Sequence, residues 1–393
     1  MLARLTQRSL LLIALVGCGV SPRPERADVS TLPQRQLDAE ETKELAVLVE
    51  RAIAAVSVLD YEVAEAAAEE ALAIDPRSAR ARAVLAIVTL KAATATEPSD
   101  AQAMLGGELQ MRLAKLLSPD DPFVGWMHAV FLAESGHLSA AAAAAEEALP
   151  RSVDAPAAAR LALLRIAGSY RYELGEERAA VPHLQEYVRL RPDDPVARYH
   201  LGGALLRLAV APQGGTRASV LVAQRQAEEA ARAFTRCLEL MPADAEVAAA
   251  VVTAHLRAAD LASERLGQIP DSPDRIEEQN RLVAERDGNR QAADAALRQA
   301  LERFPEAASV QFQAGVVAEA AADGALARSC YERAITMDPG HVPSLLNLAD
   351  LLVRSGERSA AAGLLRQALD APASRRELTS TERKRIEDWL RSS

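Results

Sequence analysis

Aromatic side chains are scarce in this chain of 393 residues, where two Trp, six Tyr and five Phe amount to 3%. A core with so few large rings has to be made of thin, closely packed elements, and alanine fills that role here. Cysteine is nearly absent: Cys18, Cys237 and Cys330 are the full set. Cys237 and Cys330 fall in different predicted helices, too far apart for the roughly 4–7 Å between Cα atoms that a disulfide requires, so both read as core thiols. The histidines His128, His137, His183, His200, His255 and His341 form no i,i+4 pair and have no cysteine near them, which argues against a metal site. There is no Gly-x-Ser-x-Gly elbow and no Gly-x4-Gly-Lys-Ser/Thr loop. Acidic pairs such as Glu69-Glu70, Glu146-Glu147 and Glu228-Glu229 read as solvated helix faces. The expectation is a chain that is not an enzyme and uses no cofactor and no metal. Positive charge is in deficit, with a formal net charge of −10, which disfavours nucleic acid and anionic headgroups as partners. The apolar run at the N-terminus, Leu10 to Val16, is far short of the roughly 20 residues that span a bilayer.

What the chain does have is a motif that returns every 34 residues. It reads Ala293-x3-Leu297-x2-Ala300-x4-Pro305, then Ala327-x3-Tyr331-x2-Ala334-x4-Pro339, then Ala361-x3-Leu365-x2-Ala368. Alanines seven apart with a bulky residue between them lie on one helical stripe, where small side chains let a neighbouring helix approach, and proline then ends the helix. Glycines in Asp287-Gly288, Gly324-Ala325 and Gly356-Glu357 precede the second helix of each unit and read as tight turns. A fixed period of this length marks a stacked array in which each helix pair buries its apolar face against its neighbours.

These residues resemble the tetratricopeptide repeat family, whose consensus they match with small-Gly in the first helix (Ala314-Gly315, Leu201-Gly202, Ala167-Gly168), Ala-x3-aromatic-x2-Ala in the second, and a terminal proline. The resemblance implies an all-α, right-handed superhelical solenoid of helix pairs. In register, the pairs fall at 45–78, 79–121, 122–155, 161–194, 195–244, 245–273, 274–307, 308–341 and 342–375, with insertions near Ala93 to Gln102 and Ala211 to Gln226. The short unit 245–273 ends at Pro270-Asp271-Ser272-Pro273, which divides an N-terminal array, 41–273, from a C-terminal one, 274–393. Thr381 to Arg391 carries Ile386, Trp389 and Leu390 on one face and reads as a C-terminal capping helix.

The N-terminus adds a second signal. Arg4 and Arg8 precede the apolar run, and Leu15-Val16-Gly17-Cys18 follows it. This resembles a bacterial lipoprotein signal peptide over 1–17, which implies cleavage before Cys18 and lipidation of its thiol and new amine. More than one acyl chain suffices for stable anchoring. Gly19, in place of an inner-membrane Asp, implies the outer membrane of a Gram-negative cell, facing the periplasm. The stretch 18–40, rich in Pro, Arg, Ser and Gln, reads as a flexible tether behind the lipidated cysteine.

In the resembled family, first helices line a groove. The matching positions here hold Phe123, Trp126, Arg165, Tyr172, Tyr199, Arg207, Phe312 and Arg354, with Leu346 and Asp350 beside the last. Tyr, Trp and Arg carry interface energy in disproportion to their number. The lysine and asparagine clamp of the family's chaperone-tail readers is missing, since Asn347 stands alone. The expected partners are therefore envelope proteins bound along the groove, with the membrane reached only through the N-terminal lipid. Lipoproteins of this layout suggest assembly of pilus or secretion machinery. The alternative is a cell-wall-associated factor that recruits peptidoglycan enzymes or binds glycan.

Overall fold

Aspartates at helix starts and alanines along one face set the architecture of the computed structural model, which describes residues 28–95, 100–154, 157–210, 215–372 and 378–392. The signal peptide and Cys18 lie outside these residues. Every regular element among them is helical. The chain divides into two units, Met1–Pro192 and Asp193–Ser393. The division at 192 differs from the one read at 273 in the sequence, and Pro270–Pro273 lies inside the second unit.

The first unit contains α1 (Ala39–Ser57), α2 (Tyr61–Ile74), α3 (Ala79–Ala95), α4 (Ala101–Leu117), α5 (Pro122–Glu134), α6 (Leu138–Ala148), α7 (Ala157–Glu173) and α8 (Glu177–Leu190). Asp38 opens α1 with a capping box: its side chain accepts from the Glu40 and Glu41 amides at 2.9 and 2.8 Å, while Glu41 accepts from the Asp38 amide at 3.0 Å. Asp60, Asp100 and Asp121 cap α2, α4 and α5 by accepting first-turn amides without the reciprocal glutamate, and Pro122 occupies the first turn of α5, where its missing N–H costs nothing. The tether reading needs correcting for residues 28–38: Val29–Thr31 forms a 3-10 turn, and Arg77 donates to the Val29 carbonyl at 2.9 Å. That segment is tied to the array.

The second unit contains α9 (Pro195–Leu208), α10 (Arg217–Leu240), α11 (Ala245–Gly267), α12 (Ile276–Arg303), α13 (Ala308–Ala320), α14 (Gly324–Met337), α15 (Val342–Arg354), α16 (Arg358–Asp370) and α17 (Ser380–Ser392). Three sequence expectations change here. The Asp287-Gly288 turn does not exist, because α12 runs unbroken from Ile276 through Gly288 to Arg303. Consequently 245–273 and 274–307 are not two helix pairs; each supplies one long helix, and α11 and α12 pack on each other. The insertion read at 211–226 is helical from Arg217 onward. Thr216 caps α10, and Val220, Ala223, Gln224 and Ala227 are buried by it.

Alanine is the commonest core residue in both units, with Leu and Val filling most of the rest. Ala300, Ala334 and Ala368, the 34-residue markers, are all buried, as are Ala293, Ala327 and Ala361. Where the first helix carries glycine, the second comes closer still. A Cβ on Gly168 would lie 2.7 Å from Leu184 Cγ, and one on Gly202 would lie 2.9 Å from the Phe234 ring. One on Gly315 would lie 2.6 Å from Tyr331 Cδ1. Turns between paired helices use left-handed backbone at Gly136, Gly175 and Gly356, and also at two residues with side chains, Leu59 (φ 64°) and Ala322 (φ 60°). The last helix, α17, packs Trp389 and Ile386 against the apolar clusters of α13–α16, as a cap should.

Buried polar groups tie the long helices together. Arg265 on α11, 9% exposed, donates to Gln224 Oε1 on α10 at 2.5 Å and to Glu285 Oε2 on α12 at 3.2 Å. Gln224 in turn donates to Glu228 at 2.9 Å and to Glu285 at 3.0 Å. One guanidinium and one amide thus satisfy each other across three helices.

Candidate partner-binding face

Five first helices, α5, α7, α9, α13 and α15, carry the eight residues singled out in the sequence. In the first unit the structure brings Phe123 and Trp126 together in an edge-to-face contact, centroids 5.8 Å apart at 89°. Phe123 is buried in the core of α1–α5, which corrects its assignment to the groove: it is a packing residue. Trp126 is half-buried against the same core, and its Nε1 has no hydrogen-bond partner among the described residues. On α7, Arg165 is exposed and Tyr172 is half-buried. Their neighbour Arg171 is committed elsewhere, donating to Glu146 at 2.6 and 2.9 Å and to Glu176 at 2.5 Å. That guanidinium holds the Glu146 carboxyl below the usual carboxylate range, so Glu146 belongs to an ion pair with Arg171, with His183 Nε2 3.4 Å away, and is more than a solvated face.

In the second unit Tyr199 lies half-buried on α9 with its ring edge against Phe234, 5.8 Å between centroids. Arg207, two turns along, is exposed. Phe312 on α13 is half-buried between Tyr331 and His341, at 5.9 and 5.4 Å. Arg354 on α15 is exposed and pairs with Glu319 and Asp350. Glu319 also accepts from the Tyr331 hydroxyl at 2.9 Å, and that hydroxyl accepts from Asn347 at 3.1 Å. Asn347 is thereby committed to packing. In the second unit the half-buried rings of Tyr199 and Phe312 rest on Phe234 and Tyr331 of the second helices, and in both units the first helices also carry exposed arginines.

Both assigned core thiols are buried, and burial pushes the Cys237 thiol up to about 11 while its Sγ donates to the Pro195 carbonyl at 3.2 Å. Among the described residues no three His, Cys, Asp or Glu side chains converge as metal ligands, and no helix is long and apolar enough to cross a membrane. A cleft of about 820 Å³ beside α4 and α5 escaped the sequence reading, although its wall residues Met104 and Met111 sit seven apart on α4.

The tetratricopeptide repeat family model matches residues 282–342, which span most of α12, all of α13 and α14 and the start of α15. Over that span the chain carries tetratricopeptide repeats. Its repeats supply a protein-interaction scaffold, since a stacked array exposes surface along its length in place of a single enclosed site. No curated relative matches the sequence. Solved structures similar to it include a tetratricopeptide-repeat protein of Parabacteroides merdae, 14% identical over 89% of this chain and 98% of that one, with a TM-score of 0.43. TTC0263 of Thermus thermophilus is 19% identical over 58% of this chain and 96% of its own, with a TM-score of 0.41. The pilF product of Pseudomonas aeruginosa is 18% identical over 62% of this chain and 99% of its own, also with a TM-score of 0.41.

Proposed function

We propose that this protein is a lipid-anchored tetratricopeptide-repeat scaffold of the bacterial envelope, held through Cys18 on the periplasmic face of the outer membrane, that docks another envelope protein along its first helices. The observation that carries the docking reading is the recurrence of a half-buried ring and an exposed arginine about two turns apart on one first helix, Tyr172 and Arg165 on α7 and Tyr199 and Arg207 on α9. A ring already packed on its inner edge loses little freedom when its outer edge is covered, and an exposed guanidinium forks onto carboxylates or carbonyls. The anchoring reading is supported by the order Arg4, Arg8, a short apolar run and Leu-Val-Gly-Cys18. Assembly of a pilus or secretion machine is the process we assign to it.

Two experiments test these readings separately. Metabolic labelling with palmitate should mark the wild type and miss Cys18→Ser; label retained on the variant sinks the anchor. A photo-crosslinking residue placed at Arg165 or Arg207 in cells should capture a pilus, secretion or other outer-membrane assembly component. Capture of murein synthases or hydrolases alone would replace that assignment with recruitment of cell-wall enzymes. Trp126→Ala with Tyr199→Ala should weaken capture while the helical signal persists, and collapse of helicity would make both rings core.

A further inference from the structure

On the side of α5 away from Trp126, the array holds a cleft that the groove reading does not use. It runs along one face of α4, past Met104, Leu105, Met111 and Leu116, and is closed by Leu90 of α3 and by Phe131 and Leu132 of α5. Its volume is about 820 Å³, within the roughly 300–1,000 Å³ range of small-molecule sites. Gly107 eases the approach of α4 to α3 beside the cleft: a Cβ there would meet the Ala86 carbonyl oxygen at a tight 3.1 Å and Phe131 at an ordinary contact distance of 3.5 Å. Leu105 and Leu116 remain 38% and 54% exposed at the rim, an apolar surface left uncovered.

The charges at this cleft are few and unequal. Arg112 is engaged by Glu108 one turn away on the same helix. Among the described residues Lys115 reaches only Glu147, at 3.5 Å, and Glu147 is served in addition by Arg151 through its carboxylate at 3.4 Å and its carbonyl at 3.2 Å. Lys115 is therefore the lining cation that can change partner at least cost. Next to it His128 lines the wall with Nδ1 lacking any hydrogen-bond partner among the described residues. An apolar trough about four turns of helix long, with one exchangeable ammonium toward the Leu116 end, matches a ligand with an extended aliphatic tail and a single anionic head. A peptide helix would bring its own backbone and cover far more than this cleft, since stable protein interfaces bury about 1,200 Å² or more.

We propose that this cleft binds a long-chain aliphatic carboxylate, its head on Lys115 and its chain along Met111, Phe131 and Leu132 toward Met104. Titration of the folded full chain with 11-(dansylamino)undecanoic acid should give saturable fluorescence enhancement that dodecanoate reverses below its micellar concentration. Competitor affinity should rise about fourfold for each methylene from octanoate to dodecanoate. Dodecanol, without the charge, should compete at least tenfold more weakly than dodecanoate. Lys115→Glu should remove that difference by weakening dodecanoate alone, whereas Leu105→Asp, at an exposed wall position, should weaken both competitors. Absence of saturable binding, equal competition by the acid and the alcohol, or binding unmoved by both substitutions would each overturn the proposal. Circular dichroism of each variant confirms that the helices persist.

Discussion

Replacing Gly315 by alanine should destabilise the second unit, against the ordinary rule for glycine in a helix. Inside an exposed helix, alanine is worth about 1 kcal/mol more than glycine. Gly363 on α16 is such a site, because a Cβ there meets nothing within 4 Å, so Gly363→Ala should stabilise by about that amount. At Gly315 the new methyl would sit 2.6 Å from Tyr331 Cδ1 and 2.9 Å from Cζ, well inside the roughly 3.5–4.0 Å at which carbon atoms rest. Tyr331 cannot swing aside at low cost. It is 0% exposed, its hydroxyl is bonded to Glu319 and Asn347, and its ring lies against Phe312. Overpacking costs about 1–3 kcal/mol, and each displaced hydrogen bond about 1 kcal/mol more. Set against the helix gain, the net loss should be about 2–4 kcal/mol. Urea titration followed by circular dichroism, with Gly363→Ala as the sign control, measures it. Tyr331→Leu placed in the Gly315→Ala background should cost less than Tyr331→Leu alone, by about 1 kcal/mol or more, because the two changes share one space. If Gly315→Ala is as stable as the wild type or more so, α13 and α14 do not close on that glycine.

The left-handed turn at Leu59 should be relieved by glycine. Leu59 is 69% exposed, so Leu59→Gly forfeits little burial, removes about 1–2 kcal/mol of backbone strain, and should raise the first unit's melting temperature by a few degrees; no rise would mean the turn is unstrained. Burial depresses the His200 imidazole to about 4. Since the unfolded chain takes up a proton near 6.5 and the folded one does not, the contribution of this site is intact above pH 7 and falls by about 2 kcal/mol by pH 5. The urea midpoint of His200→Gln should accordingly drop less between those pH values than that of the wild type, and parallel profiles would refute the assignment. Gln224→Ala should cost about 1–3 kcal/mol by leaving part of Arg265 buried without a partner, and deletion of 217–226 should unfold the α10–α12 region, where removal of a mere loop would be tolerated.

How much of this was legible depends on which force decides each element. The 34-residue alanines announce burial directly, because nothing else explains small residues at that spacing, and Ala300, Ala334 and Ala368 are indeed buried. Asp287-Gly288 misleads for an energetic reason: one mid-helix glycine costs about 1 kcal/mol, which the packing of α11 on α12 outweighs, and no left-handed backbone is needed there. Glycine marks a turn only where φ turns positive, as at Gly356, and Leu59 and Ala322 show that the turn can also form without it. The 211–226 segment combined true breakers with a visible helical stripe, Val220, Ala223, Ala227, Ala230 and Phe234, and the breakers masked the stripe. Spacing alone also cannot separate a groove ring from a core ring. Phe123 and Trp126 share one helix face, and only packing shows that the first is core.

An alanine core has consequences for how such a chain fails. Each helix contact buries few methylenes, so cohesion depends on many thin interfaces and a handful of interlocks in which glycine receives a ring. In a one-dimensional array, damage at one interface loosens its neighbours and fades with distance. Hydrogen exchange on Gly315→Ala should therefore show the largest loss of protection in α13, α14 and α15, which share the Tyr331 hydrogen bonds and ring contacts. The α10 and α11 amides, held by Arg265 and Gln224, should exchange at wild-type rates. Uniform loss across the second unit would show instead that it opens as a single cooperative block, and the interlocks would then matter for its total stability and not for where it yields.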